Sequence, residues 1–380
     1  MIGKAKTFET GRQTASVHRE RAILVSVSLP QRPWPTDDPC EELRGLATSA
    51  GTTVVGELTQ KRHEICPPTY IGKGKIGELK DVVENTDADV VVFDHDLSPA
   101  QVRNLETAID RKVIDRSELI LDIFATRART LESRLQVELA QLEYALPRLK
   151  NMWTHLSRQQ GGGVGMRGPG ETQLEEDRRL AGVRIRDLKA KLVEVQARKE
   201  REVAGRGTEM TASLVGYTNA GKSRLMSTLT GADVYVADQL FATLDTRTRR
   251  WPIPDFGTVL LSDTVGFIRD LPHHLVASFR ATLAEARHAK LLLHVVDASS
   301  PAAEQQITSV NAVLGELDCA KKPTLLVLNK IDRITDRSKL DVLRAHFPKS
   351  VAISGATGEG LRELSDAVAV LLGARFRESK

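Results

Sequence analysis

The stretch at residues 216–223, GYTNAGKS, constrains this chain more than any other, because a glycine-rich loop of this pattern needs a strand feeding it and a helix leaving it. The short apolar run 212–215 suits the strand, and the helix is expected to start at Lys222. Gly216 and Gly221 permit turns closed to residues with a Cβ. Successive N–H groups, with Tyr217, Thr218, Asn219 and Ala220 between the glycines, can then converge on one anion-sized nest at a helix N-terminus. Lys222 would reach the outer phosphates of a ligand held there, and the Ser223 hydroxyl would ligate Mg2+. The bare pattern arises by chance in roughly one chain in a hundred of this size, so the loop alone decides little.

Four further elements follow at suitable spacings. An apolar strand at 258–261 runs into Asp263, Thr264, Val265 and Gly266; such an aspartate can hold the metal through water, and Gly266 offers a side-chain-free N–H to the terminal phosphate. Between these lies FATLD, comprising Phe241, Ala242, Thr243, Leu244 and Asp245, where Thr243 is the candidate for a second hydroxyl on Mg2+. After the apolar strand 324–328 stands NKID, in which Asp332 can accept from guanine's ring N–H and exocyclic amine, while Asn329 and Lys330 brace the loop that Ile331 continues. Adenine has an acceptor where guanine has a donor, and sites that hydrogen-bond a specific group reject analogues by roughly 10⁴ or more. Ser354, Gly355 and Ala356 follow another short strand and are placed to touch the base from its other side. Each piece alone reads equally well as a loop or strand-end turn. In register, the five imply a GTP site, with Lys222, Thr243 and Gly266 as its catalytic residues.

The interleaved apolar strands and amphipathic helices of residues 212–373 predict an α/β domain with a mainly parallel sheet and ligands at the carboxyl ends of its strands. The place just after Gly266, where small signalling GTPases carry a water-orienting glutamine, holds Phe267, so intrinsic hydrolysis is expected to be slow and open to stimulation by a partner. Asn219 adds K+ as a candidate second cofactor, because asparagine at this point occurs in GTPases that use that ion as a fixed charge.

At 380 residues the chain is long enough for two or three domains. The expected division is a disordered extension at 1–20, an α/β domain at 21–125, a helical hairpin at 126–207, the nucleotide domain at 208–375 and a tail at 376–380. In the first domain strands are expected at 23–29, 53–58, 90–93 and 112–114, with helices at 41–50, 75–84 and 99–109; Ser98 caps the last of these, with Pro99 in its first turn. The loop TYIGKGK, 69–75, offers glycine and lysine ahead of a helix but lacks full phosphate-loop spacing, so a structural turn is at least as good a reading as a second nucleotide site. Cys40, Cys66 and Cys319 are widely spaced and odd in number, which supports neither a disulfide framework nor a four-ligand zinc site, and His63 beside Cys66 reads as a surface pair. No apolar run reaches the roughly 20 residues of a membrane helix, and residues 1–20 lack a signal peptide's apolar core, so a cytoplasmic protein is expected.

Net charge is only +4, yet residues 144–170 carry Arg148, Lys150, Arg158 and Arg167, together with Trp153 and His155, and no acid. This basic stretch joins two apolar seams. Leu131, Leu135, Leu139, Leu142, Leu146 and Leu149 recur three and four apart, as do Leu174, Ala181, Ile185, Leu188, Leu192 and Val195, predicting an antiparallel hairpin whose first arm is bent at Pro147. Its ten-residue tip GGGVGMRGPG is longer than chain reversal needs. Arg158, Gly162, Gly163 and Arg167 are therefore candidates for contact with an RNA backbone, with a peptide or membrane partner as the alternative.

Taken together, PPTYIGKGK, FDHDLSPAQVRNLE, VIDRSELILDIFATRA, LQVELAQLEYALPRL, GGGVGMRGPGETQLEEDRR, GYTNAGKS, FATLD, DTVGFIRDLP and NKID resemble the HflX family of ribosome-associated GTPases, of the same broad class as Obg. The likeness covers nearly all of residues 23–373. It implies a P-loop GTPase domain preceded by the α/β domain and hairpin, and a protein, monomeric when free, that hydrolyses GTP to GDP on the large (50S) ribosomal subunit. It further implies that the amino-terminal domain and the hairpin tip enter RNA near the peptidyl transferase region, and a role in splitting stalled ribosomes or in subunit biogenesis. Two rival readings are a GTP-timed module for a non-ribosomal protein or membrane, and an ATP-driven RNA remodeller working through residues 72–75. Arg224, Met226, Thr246 and Gly355 depart from the family's usual threonine, phenylalanine, proline and alanine. Packing around the first two and mobility near Thr246 are expected to differ, with little effect at Gly355.

Overall fold

The computed structural model describes residues 17–34, 36–152, 169–204, 209–231, 239–269 and 284–378. The expected amino-terminal extension up to residue 16 and most of the hairpin tip with Arg158, Gly162, Gly163 and Arg167 lie outside the described residues. Two compact units result, divided between Thr126 and Arg127.

The first unit alternates strand and helix: β1 (Arg21–Ser28), α1 (Glu41–Ser49), β2 (Thr53–Lys61), α2 (Lys73–Thr86), β3 (Val90–Phe93), α3 (Pro99–Ile109), β4 (Lys112–Asp115) and α4 (Arg116–Arg127). All four strands are parallel, in the order β2-β1-β3-β4. The continuous apolar runs of β1 and β3 occupy the centre, where helices cover both faces and strict alternation would bury polar side chains. Ser98 caps α3 in a full capping box with Gln101, and Pro99 spends no backbone donor at N1. At the carboxyl end of β3, Arg116, 1% exposed, bonds Asp94 at 2.6 Å and also Glu42, so this buried charge is paired. Just before α2 the Gly72 N–H is taken by Gln60 Oε1 at 3.3 Å, and within the start of α2 Lys75 pairs with Glu78 at 2.7 Å. Those partners support the structural reading of TYIGKGK.

The second unit begins with the hairpin, α5 (Leu131–Met152) and α6 (Pro169–Ala204). At 1.5 Å per residue the arms are about 33 and about 54 Å long, so the second greatly exceeds the first. Leu135, Leu139, Ile185 and Leu188 form the buried seam, extended by Leu142, Leu146 and Leu192. Glu132–Lys199 and Glu143–Lys189 pair across it in the descending order that an antiparallel hairpin requires, and Glu138–Arg184 adds a third ion pair between the arms. Helix α5 continues through Pro147. Leu131, expected in the seam, is 71% exposed.

Beyond the hairpin come β5 (Met210–Gly216), α7 (Lys222–Thr230), β6 (Arg247–Ile253), β7 (Gly257–Asp263), α8 (Ala284–His288), β8 (Leu291–Asp297), α9 (Ala303–Glu316), β9 (Thr324–Asn329), α10 (Arg337–His346), β10 (Val351–Ala352) and α11 (Leu361–Glu378). The sheet order is β10-β9-β8-β5-β7-β6, parallel except for β6, which returns antiparallel along β7. One face packs Leu214, Leu293, Val295 and Val327 with Leu225 of α7 and Leu364, Val368 and Leu372 of α11. The other packs Val296 and Leu328 with Ile307 of α9 and Leu343 of α10. Both faces being covered, the parallel strands read as apolar runs, and their carboxyl ends with the following loops remain to build a site.

Candidate active site

The loop after β5 is held by its neighbours as much as by its own turns. Gly216 has φ +146°, and a Cβ there would stand 2.1 Å from the Val295 carbonyl oxygen of the adjacent strand. Only glycine lets β5 and β8 pair this closely at the mouth of the loop. On the other side the Phe267 N–H donates to the Gly216 oxygen at 3.1 Å and the Thr218 N–H to the Phe267 oxygen at 2.6 Å. The β5–β7 pairing is thus prolonged into the segment after Gly266. Gly266 itself is confined, since a Cβ would lie 2.7 Å from the Thr218 Cα and 3.1 Å from the Lys222 Nζ.

Lys222 is buried and its Nζ donates to the Gly216 and Tyr217 carbonyls at 2.9 and 2.7 Å. An ammonium has three protons, so one is left for a phosphate oxygen. Burial pulls its pKa down to about 8, although the Asp263 carboxylate opposes the shift. Asp263 is displaced in the opposite sense, raised by burial against the pull of Lys222 and the hydrogen bonds of Ser223 and Thr243.

Three oxygen groups meet beside this lysine. The Ser223 hydroxyl donates to Asp263 Oδ2 at 2.6 Å and lies 2.8 Å from the Thr243 hydroxyl. Asp263 Oδ1 is fully buried with no hydrogen-bond partner. An orphaned, buried carboxylate oxygen is expensive unless a cation or its water shell completes it. This all-oxygen set suits Mg2+, which binds through few protein groups and the phosphates of its substrate. Among the described residues no cluster of three His, Cys, Asp or Glu side chains could hold a metal by itself.

Phe241, at φ +56° and 1% exposed, is a bulky residue in left-handed backbone. Its N–H donates to Thr218 Oγ1 at 2.8 Å, which ties the Thr243 loop to the glycine-rich loop. Thr218, Asn219, Lys222, Ser223, Ala242, Thr243, Thr264 and Gly266 line one pocket, and Arg224 and Gln239 line it too. Sequence reasoning missed Gln239, which carries no motif, and took Arg224 for a packing difference. Met226 alone fits that expectation, being fully buried. Leu244 is buried in the protein, and Asp245 bonds the base of the hairpin instead of the pocket.

On the far side, Asn329 is a brace in the literal sense: its amide donates to the Ala220 carbonyl and its Oδ1 accepts from the Gly355 N–H, both at 2.9 Å. Lys330, at φ +62°, pairs with Asp297 at 2.8 Å. Asp297 was not singled out from sequence, though its place as the last residue of an apolar strand was the available signal. Ser354 donates to Asp332 Oδ1 at 2.6 Å and accepts from the Ala356 and Thr357 N–H groups. One carboxylate is thereby held at the end of the nearby loops, as guanine recognition would need.

The comparisons agree with this geometry. Three family models match in succession: the amino-terminal region of GTP-binding GTPases at 37–125, their middle region at 127–206, and a 50S ribosome-binding GTPase at 211–330. The GTPase HflX of Escherichia coli K12 is 49% identical, across 92% of this chain and 82% of that protein. The chain belongs to the HflX GTPase family. HflX of Caldanaerobacter subterraneus is 46% identical, across 92% of this chain and 80% of the relative. The crystal structure of SsGBP with GDP superposes with a TM-score of 0.53 at 26% identity, covering 93% of this chain and 99% of that one. Like other HflX proteins, the chain is a GTPase of α/β fold. Its Gly355 leaves room for the more usual alanine, whose Cβ would sit 3.4 Å from Asn329 Oδ1. No helix among the described residues is long and apolar enough to cross a membrane.

Proposed function

We propose that this HflX protein binds GTP with Mg2+ in the pocket between the glycine-rich loop and the Thr243 loop, and hydrolyses it when bound to the large ribosomal subunit. The observation that carries the metal reading is the buried, unpartnered Asp263 Oδ1, on a carboxylate whose Oδ2 accepts from Ser223, which in turn lies 2.8 Å from the Thr243 hydroxyl. In this reading Ser223 and Thr243 ligate the ion, which supplies charge to the β- and γ-phosphates. Lys222 places its remaining proton on an outer phosphate oxygen, and the Gly266 N–H meets the terminal phosphate. Asp332, oriented by Ser354, selects guanine.

Phe267, 2% exposed and locked by its backbone to Gly216 and Thr218, leaves no side chain there to orient water. Slow intrinsic turnover and stimulation by a docked partner follow from it. Asn219, at φ +59° on the pocket wall, is our candidate to hold K+ as a further fixed charge; equal rates in sodium and potassium buffers would remove that role. Ribosome binding is supported by the match of residues 211–330 to a 50S ribosome-binding GTPase. The acid-free basic stretch with Arg158 and Arg167 adds the chemistry of an RNA contact. In the proposed cycle the chain acts as a cytoplasmic monomer that docks with GTP and leaves after hydrolysis, serving either to split stalled ribosomes or to assist subunit assembly. Turnover measured with and without purified large subunits tests the proposal. Stimulation is expected, and its absence at physiological salt would overturn the ribosomal role.

A further inference from the structure

The loop that carries Thr243 is fastened at its far end to both arms of the hairpin. Asp245 Oδ1 accepts from the Thr130 hydroxyl at 2.7 Å, and Oδ2 from the Arg129 N–H at 3.3 Å. Thr130 immediately precedes α5, and its hydroxyl oxygen accepts from the Ser133 N–H at 3.1 Å, so it acts as the helix N-cap while its own proton goes to Asp245. A carboxylate is thereby held against the positive end of a 22-residue helix, where charge and hydrogen bonding reinforce each other. The next residue, Thr246, accepts from Lys199 of the second arm at 3.5 Å, and that lysine also pairs with Glu132 of the first. Upstream, Arg127 bonds Gln239 of the pocket wall. The bonds to Asp245 and Thr246 act two and three residues beyond the hydroxyl that meets Ser223.

We propose that Asp245 is a positioning residue, which, through Thr130 and Arg129, holds Thr243 on the metal site and links nucleotide binding energetically to the base of the hairpin. This rests on the reading that Ser223 and Thr243 hold Mg2+. A loop pinned at both ends, by Phe241 to Thr218 and by Asp245 to the head of α5, has little freedom to carry Thr243 away from Ser223. Linkage works in both directions: whatever shifts the head of α5 changes metal-dependent affinity, and metal-bound nucleotide must in turn stiffen the head of α5.

The test is calorimetric titration of the free protein with a nonhydrolysable GTP analogue, in Mg2+ and in chelator, joined to hydrogen exchange at the Arg129 amide. Wild type is expected to gain affinity from Mg2+ and to protect the Arg129 amide on binding. Thr130→Val and Asp245→Asn should each lower the Mg2+-dependent gain about tenfold, the scale of one charge-assisted hydrogen bond. Combined, they should lower it little further, and the Arg129 response should vanish. Thr130→Ser, which keeps the hydroxyl, should restore both readouts, whereas a merely structural role would leave the Mg2+-free and Mg2+-bound affinities reduced alike. If Thr243→Ala abolishes the gain while Thr130→Val and Asp245→Asn retain it, the positioning role is overturned and the metal reading stands. If Thr243→Ala also retains the gain, the metal reading falls, and the positioning role with it.

Discussion

The side-chain amide of Asn329 and the carbonyl of Ala220 are joined at 2.9 Å across a sequence separation of 109 residues. With its own Oδ1 on the Gly355 N–H, Asn329 makes the glycine-rich loop, NKID and the 354–356 turn one rigid piece. Asn329→Ala leaves a buried acceptor and a buried donor without partners, a loss of about 2 to 6 kcal/mol at roughly 1–3 kcal/mol for each group. Thermal unfolding should report that loss, and calorimetry a matching fall in GTP affinity.

Gly216 and Gly355 make opposite predictions for the same substitution. Gly216→Ala drives a methyl into the Val295 carbonyl at 2.1 Å in backbone of positive φ, and should cost about 3 kcal/mol and nucleotide binding with it. Gly355→Ala meets its nearest atom at 3.4 Å and should be close to neutral in both. Denaturant unfolding of the pair beside wild type checks the contrast.

Ser354 is the residue that aims Asp332. Ser354→Ala removes the donor at 2.6 Å from Asp332 Oδ1 and should reduce the preference for GTP over ATP by about tenfold, while Asp332→Ala removes most of it. Competition binding with the two triphosphates measures both. An undiminished preference in Asp332→Ala would place guanine recognition elsewhere.

His294 makes stability depend on pH. It sits in β8, 2% exposed, with Nε2 lacking a partner, and burial, helped by the charge of Lys222, lowers its pKa to about 4 from 6.5. Between those values the unfolded chain binds a proton that the folded chain refuses. Stability is therefore whole above about pH 6.5 and declines toward pH 4, by about 3 kcal/mol in all. His294→Leu should flatten that part of the profile, as followed by unfolding at successive pH values.

The pocket was legible in sequence because each contact there tolerates few residue types. Gly216 must lack a Cβ, Ser223 and Thr243 must carry hydroxyls, and Asn329 must both donate and accept. Local chemistry of that kind leaves a local motif. Thr130, Asp297 and Gln239 were not legible, since each serves the site from a distant element and its residue type is ordinary where it stands. Leu131 shows a different limit: three-four spacing tells which side of a helix a residue occupies, but not whether anything lies over that side at its level. Strand order in the first unit depended on which apolar runs were covered on both faces, and only packed helices reveal that.

The rim of the six-stranded sheet carries a last consequence. On one side β10 is two residues long; on the other, β6 presents exposed Arg249 and Arg250 and a proline, Pro252, which has no N–H to offer. Both borders are thereby blunted against an incoming strand. Polymerisation by β-addition is thereby disfavoured for this unit, which turns recruitment toward loops and helices, whose geometry can change during a catalytic cycle while a hydrogen-bonded ladder would not.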